Sequence, residues 1–413
     1  MADHAGASPV FQRVFRISLV VLPYVSYVGM IGLFAVLVHL LWRHRRLALD
    51  PALARGLGAI ALLLLLSSIV AVNPGEAWLQ LTNFLPYFLF FGALPWILSD
   101  RFLRAQIARD AVLAVIPLNL YVLVEYSLKA PWLPVALQQV PFVAWVRAAP
   151  HAGRAMATFG HPNTLASYLV LVLGLGLGSV LLRLRRPGAT HPVFVDWGDR
   201  LLSIGIVLSL LGIFCSGSRN GLLVAVSQLL IFALCVRSNQ WLRWGALAGV
   251  GAVGLGAAVL GIGGRILAPA AWTTDPRVQV WQFALDLLAQ RPWLGWGLGN
   301  YKLQYPPGLI PGYEYISHPH NFWLLLAVEA GIPVMLGLTV WVGMICARAA
   351  RTLLEGRLKP ADHALLIGYG LAFWGSIAFG LFDVTLYDVR VNAMNWIILA
   401  GIYSFSHWNV SSG

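Results

Sequence analysis

The chain has 413 residues, of which 59% are hydrophobic and only 11% charged, and its formal net charge is +12. Soluble domains carry about 25% charged residues, so this composition excludes a soluble protein and predicts an all-α polytopic membrane protein. The excess of positive charge does not indicate a nucleic-acid partner, because the arginines stand in short clusters between apolar runs, as membrane-topology signals do.

Eleven apolar runs approach the length of about 20 residues that a bilayer-crossing helix needs. They lie at residues 17–42, 57–72, 77–98, 111–128, 165–182, 201–215, 222–236, 244–263, 321–347, 364–382 and 391–406. The first run is long and contains Pro23 and Gly29, so it can form one span or a tight hairpin of two. We therefore predict about twelve transmembrane helices, or eleven if this run does not split.

Basic residues in alternate short connections predict the orientation of these helices. Membrane proteins keep Lys and Arg on the cytoplasmic side, which predicts that side for the following 17 cations: Arg43, Arg45, Arg46, Arg55, Arg101, Arg104, Arg109, Arg183, Arg185, Arg186, Arg200, Arg237, Arg243, Arg348, Arg351, Arg357 and Lys359. Arg13 and Arg16 join them if the first run is a hairpin. That arrangement favours twelve spans with both termini inside.

Two long connections remain on the opposite side of what we predict to be a single membrane domain, residues 1–413. They are residues 129–161 and residues 264–320, and the second precedes the third-last span. Connections longer than about 15 residues are usually functional or disordered. The second one is rich in Trp, Tyr, Pro and Gly, so we expect an ordered, partly helical loop lying on the membrane surface.

One helix of the larger loop can be predicted in detail. Asp275 followed by Pro276 is typical of a helix start. The apolar residues after it recur at helical spacing and predict an amphipathic face; they are Val278, Trp281, Leu285 and Leu288. The pair Arg291-Pro292 predicts the end of the helix.

Cations on the outer side are the first candidate binding residues, since positive charge is disfavoured there. They are Arg147, Arg154, Arg219, Arg265, Arg277, Arg291, Lys302 and Arg390. The acidic residues of that side are scattered and too few to neutralise them in pairs. Arginine presents a rigid fork of donors that suits phosphate and carboxylate, so the set predicts an anionic ligand at the outer leaflet. Headgroup anchoring or local ion pairs are the alternative interpretation.

His320 is the candidate general base, because it stands where the large loop meets an apolar run and histidine titrates near neutral pH. His318 and His161 are rival bases, and a purely structural histidine is an equal alternative. Asn321 could orient His320 or a sugar hydroxyl. Glu329 lies nine residues further along, about 13 Å at 1.5 Å per residue, which indicates a packing role without contact to His320.

Two other kinds of site are not expected. The sequence Gly-Trp-Gly-Leu-Gly at residues 295–299 lacks the spacing, strand and helix of a dinucleotide-binding loop, so we predict no nucleotide cofactor. A metal site is also not expected, because the outer side has neither a paired Asp-x-Asp nor three closely spaced histidines. If a diphosphate is bound here, arginines must neutralise it.

Four segments together resemble the O-antigen ligase and polymerase superfamily of bacterial membrane glycosyltransferases. They are R-x-x-x-T-F-G-H-P-N at residues 154–163, S-G-S-R-N-G at 216–221, R-P-W-L-G-W-G-L-G-N at 291–300, and H-P-H-N with E-x-G at 318–331. Each motif is weak alone, whereas four in the family's order are specific. The resemblance covers residues 150 to 335, and the number of spans and placement of loops extend it to the whole chain.

The resemblance implies transfer of a glycan from undecaprenyl diphosphate at the periplasmic face of the bacterial inner membrane. Among such proteins the chain looks most like the O-antigen ligases, whose acceptor is lipid A–core oligosaccharide. It implies that His320 is the base and that Arg154 and Arg219 hold the donor diphosphate; Arg147 and Arg265 are added from their position alone. The expected reaction is metal-independent and inverts the anomeric centre.

Three alternatives remain open at this point. A repeat-unit polymerase would use the same donor with a second lipid-linked glycan as acceptor. A protein-directed oligosaccharyltransferase would transfer to a polypeptide. A membrane transporter should instead carry polar residues through the bilayer midplane, whereas the polar groups here collect at one side.

Overall fold

The computed structural model describes residues 8–130, 132–151, 153–184, 197–236, 239–263, 277–310, 315–356 and 358–408. These residues form helices and connections without a β-strand. Nine helical segments of the described residues are long and apolar enough to cross a membrane, and one of them, Pro74–Leu98, consists of three consecutive short α-helices. The all-α, multi-pass architecture is therefore confirmed, while the count of twelve spans stays a prediction.

The described residues of the first third of the chain form seven α-helices. They are α1 (Pro9–Val21), α2 (Ser26–His44), α3 (Pro51–Ile69), α4 (Pro74–Gln80), α5 (Leu85–Ala93), α6 (Pro95–Leu98) and α7 (Arg101–Lys129). The first apolar run splits next to Pro23 into α1 and α2, which pack against each other as the predicted hairpin. Proline cannot donate an amide hydrogen and breaks the helix there.

Beyond α7, the part of the chain that the structure describes contains twelve α-helices. They are α8 (Val135–Gln138), α9 (Pro141–Ala148), α10 (Pro162–Leu184), α11 (Trp197–Cys215), α12 (Arg219–Cys235), α13 (Gln240–Leu260), α14 (Arg277–Gln290), α15 (Tyr301–Gln304), α16 (Phe322–Ala330), α17 (Ile332–Leu354), α18 (Pro360–Gly380) and α19 (Val389–Trp408).

The apolar run 321–347 does not form the single span that the sequence predicts. It breaks at Gly331, which has a φ of 91° and separates α16 from α17. This left-handed backbone suits glycine, and Pro333 in the first turn of α17 favours a new helix start. The nine residues of α16 therefore form a separate short helix.

Helix α14 confirms a helix in the large loop but corrects its predicted face. Val280, Ala284 and Leu287 are buried, whereas Val278 and Leu285 are 50% and 54% exposed. Helix α14 packs against α16, and the buried Ala284 is a small residue that a count of bulky apolar residues misses. The proposed start at residues 275–276 lies outside the described residues.

Helices α10 and α18 form the tightly packed centre of the bundle. A Cβ on Gly178 would lie 2.3 Å from the Gly368 Cα, so the two backbones touch where both residues lack a side chain. The first residues of α10 pack beside the last residues of α18. This end of the bundle, where α10, α12 and α16 begin and α18 ends, is called the site end below.

Candidate active site

Three of the four sequence motifs meet at the last turn of α18 and the residues after it, residues 379–383. Each motif contributes an asparagine whose side-chain amide donates to this segment. The hydrogen bonds run from Asn163 to the Asp383 carboxylate (2.5 Å), from Asn220 to the Phe379 carbonyl (2.9 Å), and from Asn321 to the Leu381 carbonyl (3.1 Å). Motifs that are far apart in the sequence therefore form one site.

Asp383 is the central acceptor of this site. Its carboxylate lies 3.2 Å from His320 Nδ1, accepts from Asn163, and accepts from the Val384 amide at 2.9 Å. Burial opposes ionisation of this carboxyl group, but the hydrogen bond and charge of His320, with His318 and the Val384 amide, hold the Asp383 pKa well below its usual range. Asp383 is therefore an anion at neutral pH.

This carboxylate determines the tautomer of His320. A carboxylate can only accept, so we assign the proton of neutral His320 to Nδ1, facing Asp383. Nε2 then keeps its lone pair, and the side chain is 32% exposed. His320 also has a left-handed φ of 51°, a conformation that is uncommon for residues other than glycine and that concentrates at functional sites.

The two rival histidines have the opposite tautomer. His161 Nδ1 accepts from the Asn163 amide, and His318 Nδ1 accepts from the His320 amide. Burial, together with the charges of neighbouring histidines, lowers the pKa of both to about 4. At neutral pH both rings are therefore neutral with the proton on Nε2, which makes them hydrogen-bond donors.

Four histidine rings lie together here and are called the histidine cluster: His151, His161, His318 and His320. The rings of His151 and His161 are 4.6 Å apart, as are those of His318 and His320. His161 lies close enough to Asp383 and His320 for their charges to interact. The structure thus brings together the candidate base and both of its rivals.

Arg154 belongs to the same hydrogen-bond network. Its Nη2 donates to the Asn163 side chain at 2.6 Å and its Nε to the Ser216 carbonyl at 2.8 Å. The amide of Asn163 in turn reaches Asp383. A continuous path of hydrogen bonds therefore joins Arg154 to His320 through one asparagine and one aspartate.

Arg219 is the first residue of α12, at the site end. Its Nε is buried, and no acceptor contacts this atom within the described part of the chain. Helices α10, α12 and α16 all begin at this end, and each helix start carries a partial positive charge. The unpartnered Arg219 Nε and the positive ends of these three helices together favour an anionic ligand beside the histidine cluster.

The other predicted binding residues have local roles in the structure. Arg147 Nη1 donates to the carbonyls of Leu128 and Ala130 at the end of α7. The Arg291 guanidinium lies 4.4 Å above the Trp296 ring. Asn321 caps α16 by accepting from the Leu324 amide. Arg265 lies outside the described residues.

Two of the eight outer cations have a carboxylate partner in the structure. Lys302 contacts Glu76 at 2.7 Å, and Arg390 contacts Asp388 at 2.7 Å. These pairs are structural, so the set of cations available to an anion is smaller than the sequence indicates.

The Gly-Trp-Gly-Leu-Gly segment packs against the end of α16 around Glu329. The Glu329 carboxylate accepts from the Tyr301 amide at 3.1 Å and from the Tyr387 hydroxyl at 3.2 Å. Burial raises the Glu329 pKa to about 7. The motif that superficially resembled a nucleotide loop therefore anchors the large loop to the helices, and Glu329 has the packing role predicted for it.

Asp383 and Asn163 are the site residues that sequence reasoning missed. Asn163 belongs to the motif at residues 154–163 and follows the candidate base His161 by two residues. Its side-chain amide, which can both donate and accept, is the feature that could have indicated a role in the site. Asp383 was counted only among scattered outer acids. A carboxylate directly after an apolar span is costly to bury without a partner, and this cost was the signal that pointed to it.

The site contains groups that could bind a metal ion. His318, His320 and Asp383 each place one ligand atom within 4.8 Å of the other two. Imidazole and carboxylate ligands suit zinc and similar divalent ions. The absence of a metal remains a prediction from the sequence, in which no pattern relates Asp383 to the two histidines.

Comparison with known proteins finds a match between part of the chain and a protein-family model. No curated protein matches the chain. Residues 204–339, about a third of the chain, match the family model described as O-antigen ligase. The match contains the motifs at residues 216–221, 291–300 and 318–331, and members of this family are membrane glycosyltransferase-like enzymes acting on lipid-linked sugars. The resemblance to the O-antigen ligase and polymerase superfamily is confirmed by this match over residues 204–339.

Proposed function

We propose that the protein is an O-antigen ligase that transfers a glycan from undecaprenyl diphosphate to lipid A–core oligosaccharide at the periplasmic face of the inner membrane. The observation that carries the proposal is the His320–Asp383 pair, 3.2 Å apart and joined through Asn163 to Arg154. A general base and an anion-binding residue thus share one hydrogen-bond network, within a chain that matches an O-antigen ligase model.

The base is His320 Nε2. It removes the proton from the acceptor hydroxyl, and the hydroxyl oxygen forms a bond to the anomeric carbon of the donor. Asp383 holds the ring in the reactive tautomer and stabilises the imidazolium that forms. His161 and His318 present Nε2–H groups, so they donate hydrogen bonds to substrate oxygens and do not compete for the proton.

The leaving group is undecaprenyl diphosphate. As its bond to the anomeric carbon breaks, negative charge grows on the phosphate oxygen, and stabilising such developing charge is usually the largest part of catalysis. Arg154, Arg219 and the starts of α10 and α12 supply positive charge next to the base. We extend this role to Arg147, Arg265 and Arg291 only as predictions from sequence. The single displacement inverts the anomeric centre.

A repeat-unit polymerase is the second candidate, since the same pair and the same arginines would serve a lipid-linked acceptor. The family match supports both reactions, and the complementation experiment below separates them. A transporter is disfavoured because the hydrogen-bonded polar groups of the motifs gather at one end of the helix bundle.

Complementation tests the proposal. The protein and its His320→Ala, His161→Ala and His318→Ala variants are expressed in a ligase-deficient Gram-negative strain with a compatible core, and lipopolysaccharide is resolved by gel. His39→Ala is the matched control, because His39 stacks on Phe11 in the α1–α2 hairpin.

We expect a ladder of long chains with the unchanged protein and with His39→Ala, and none with His320→Ala. The His161 and His318 variants should keep a weaker ladder. A full ladder from a well-expressed His320→Ala variant would exclude this base. Polymerised glycan that accumulates on undecaprenyl diphosphate, without a ladder on core, would identify a polymerase.

A further inference from the structure

His318, His320 and Asp383 have the geometry of a small metal site. His320 Nδ1 and Asp383 Oδ1 are 3.2 Å apart. Two ligands bound at about 2.0–2.1 Å to a tetrahedral zinc ion lie about 3.3 Å from each other. These two atoms can therefore hold one ion between them without moving. The three residues offer ligand atoms within 4.8 Å of one another, so a small movement of the His318 ring adds a third ligand.

The surroundings of Asp383 favour a bound cation. The buried carboxylate accepts from the Val384 amide through Oδ1 at 2.9 Å and from the Asn163 side chain through Oδ2 at 2.5 Å. Hydrogen bonds of this kind fix the orientation of a carboxylate that binds a metal. His318 and His320 are only partly buried, so the site is open to an ion from solution on the histidine side.

The types of ligand in this group select the ion. Two imidazoles and one carboxylate suit zinc, and three protein ligands leave the fourth position of the ion to water. Mg²⁺ and Ca²⁺ prefer oxygen ligands, and a single carboxylate does not compete with their hydration shells. The three residues therefore predict binding of zinc without binding of magnesium.

An ion in this position removes the general base. Neutral His320 carries its single ring proton on Nδ1, facing Asp383, and its lone pair on Nε2. A zinc ion on Nδ1 takes the lone pair of that atom, so the ring proton moves to Nε2 and the imidazole stays neutral. Nε2 is then a donor and cannot accept the proton of an acceptor hydroxyl. The ion also neutralises the Asp383 charge that would stabilise an imidazolium.

We propose that His318, His320 and Asp383 bind a zinc ion, and that the bound ion inhibits glycan transfer by converting His320 Nε2 from an acceptor into a donor. In the proposed mechanism the reaction itself takes place without the ion. The inhibition rests on the proposed function, whereas the binding of zinc does not.

Cobalt substitution tests the binding without requiring catalysis, since Co²⁺ with four ligands absorbs visible light far more strongly than hydrated Co²⁺. The full-length protein, purified with a tag that lacks histidine and freed of metal with a chelator, is titrated with Co²⁺ in detergent, and zinc then displaces the cobalt. We expect one ion per chain and no displacement by Mg²⁺. His318→Ala and Asp383→Asn should each weaken zinc binding at least about tenfold, because even an outer-shell partner contributes that much.

His151→Ala is the matched control for the binding test. The His151 ring belongs to the histidine cluster and lies 4.6 Å from the His161 ring, but it is outside the group of three ligands. This variant should bind zinc as the unchanged protein does. Thermal unfolding in detergent checks folding, and Asp383→Asn carries the comparison if His318→Ala does not accumulate. Equal zinc affinity of the folded ligand variants and the unchanged protein, or the absence of bound cobalt, would overturn the site.

Kinetics test the inhibition separately. With free zinc set by a metal buffer well above its measured Kd, kcat for glycan transfer should fall about a hundredfold or more, the loss of a general base, and a chelator should restore it. The chelator alone should leave kcat unchanged. His318→Ala should keep its own activity at zinc concentrations that stop the unchanged protein. A protein that stays active with its site full of zinc contradicts the inhibition. A protein that transfers no glycan under any condition refutes the proposed function, while the cobalt titration still decides whether the site binds metal.

Discussion

Replacing Asp383 by asparagine tests the role of the His320–Asp383 pair most directly. The carboxylate accepts from three groups: His320 Nδ1, the Asn163 side chain and the Val384 amide. An amide has only one acceptor oxygen, so its NH₂ group must face at least one of these partners. If it faces His320, the ring must accept through Nδ1 and carry its proton on Nε2, and the base is lost.

The size of the effect follows from these contacts. A general base contributes about 10²–10⁴-fold to a rate, so kcat for Asp383→Asn should fall by roughly that factor. An NH₂ group that faces another donor leaves a buried polar group unsatisfied, which costs about 1–3 kcal/mol of stability. KM for the donor should change little, because Arg154 and Arg219 remain.

The assay is transfer from a polyprenyl-diphosphate glycan by purified protein, with kcat and KM measured separately and folding checked by thermal unfolding in detergent. Glu76→Gln is the control: Glu76 pairs with Lys302 and hydrogen-bonds to Gln80, in contact with no member of the histidine cluster. It should lower stability slightly and leave kcat unchanged. A folded Asp383→Asn protein with kcat within about threefold of the unchanged enzyme would refute the pairing argument.

Three further predictions concern other parts of the site. Arg154→Lys should raise the donor KM about tenfold in a kinetic assay, because lysine cannot hold Asn163 and Ser216 with one planar fork; an unchanged KM would remove Arg154 from donor binding. Burial raises the Glu329 pKa from 4.5 to about 7, so its contribution to stability is present below pH 4.5 and is lost as the pH rises through 7. Glu329→Gln should therefore melt at the same temperature as the unchanged protein near pH 5 and higher near pH 8, and a difference independent of pH would contradict this. Gly331→Ala should destabilise by about 2–4 kcal/mol, because φ is 91° and the new Cβ would lie 2.1 Å from the Trp293 carbonyl oxygen; Gly343→Ala in α17, with open space around it, is the control and should change unfolding little.

The class of protein and most of the helices can be predicted from composition and periodicity alone. Long apolar runs can satisfy their backbone groups in a membrane only as helices, so composition and periodicity sufficed. The hairpin at Pro23 was one of two alternatives predicted for the first apolar run, the other being a single span. Proline made it predictable because it breaks a helix locally, whatever the tertiary structure. The same local reasoning marked His320 as the candidate base, since a titratable residue at the edge of an apolar run is costly unless it has a function.

The residues that complete the site are known from the three-dimensional packing and not from the sequence. Asp383 lies 63 residues from His320, and no local pattern relates them. Their contact depends on how the helix ends meet: Asn321 joins the start of α16 to the Leu381 carbonyl after α18, and the packing of α10 against α18 at Gly178 and Gly368 brings Asn163 to Asp383. The tautomers of the three histidines follow from that contact and from backbone amides. Hydrogen bonds between distant segments are set by helix packing, which a single sequence does not specify.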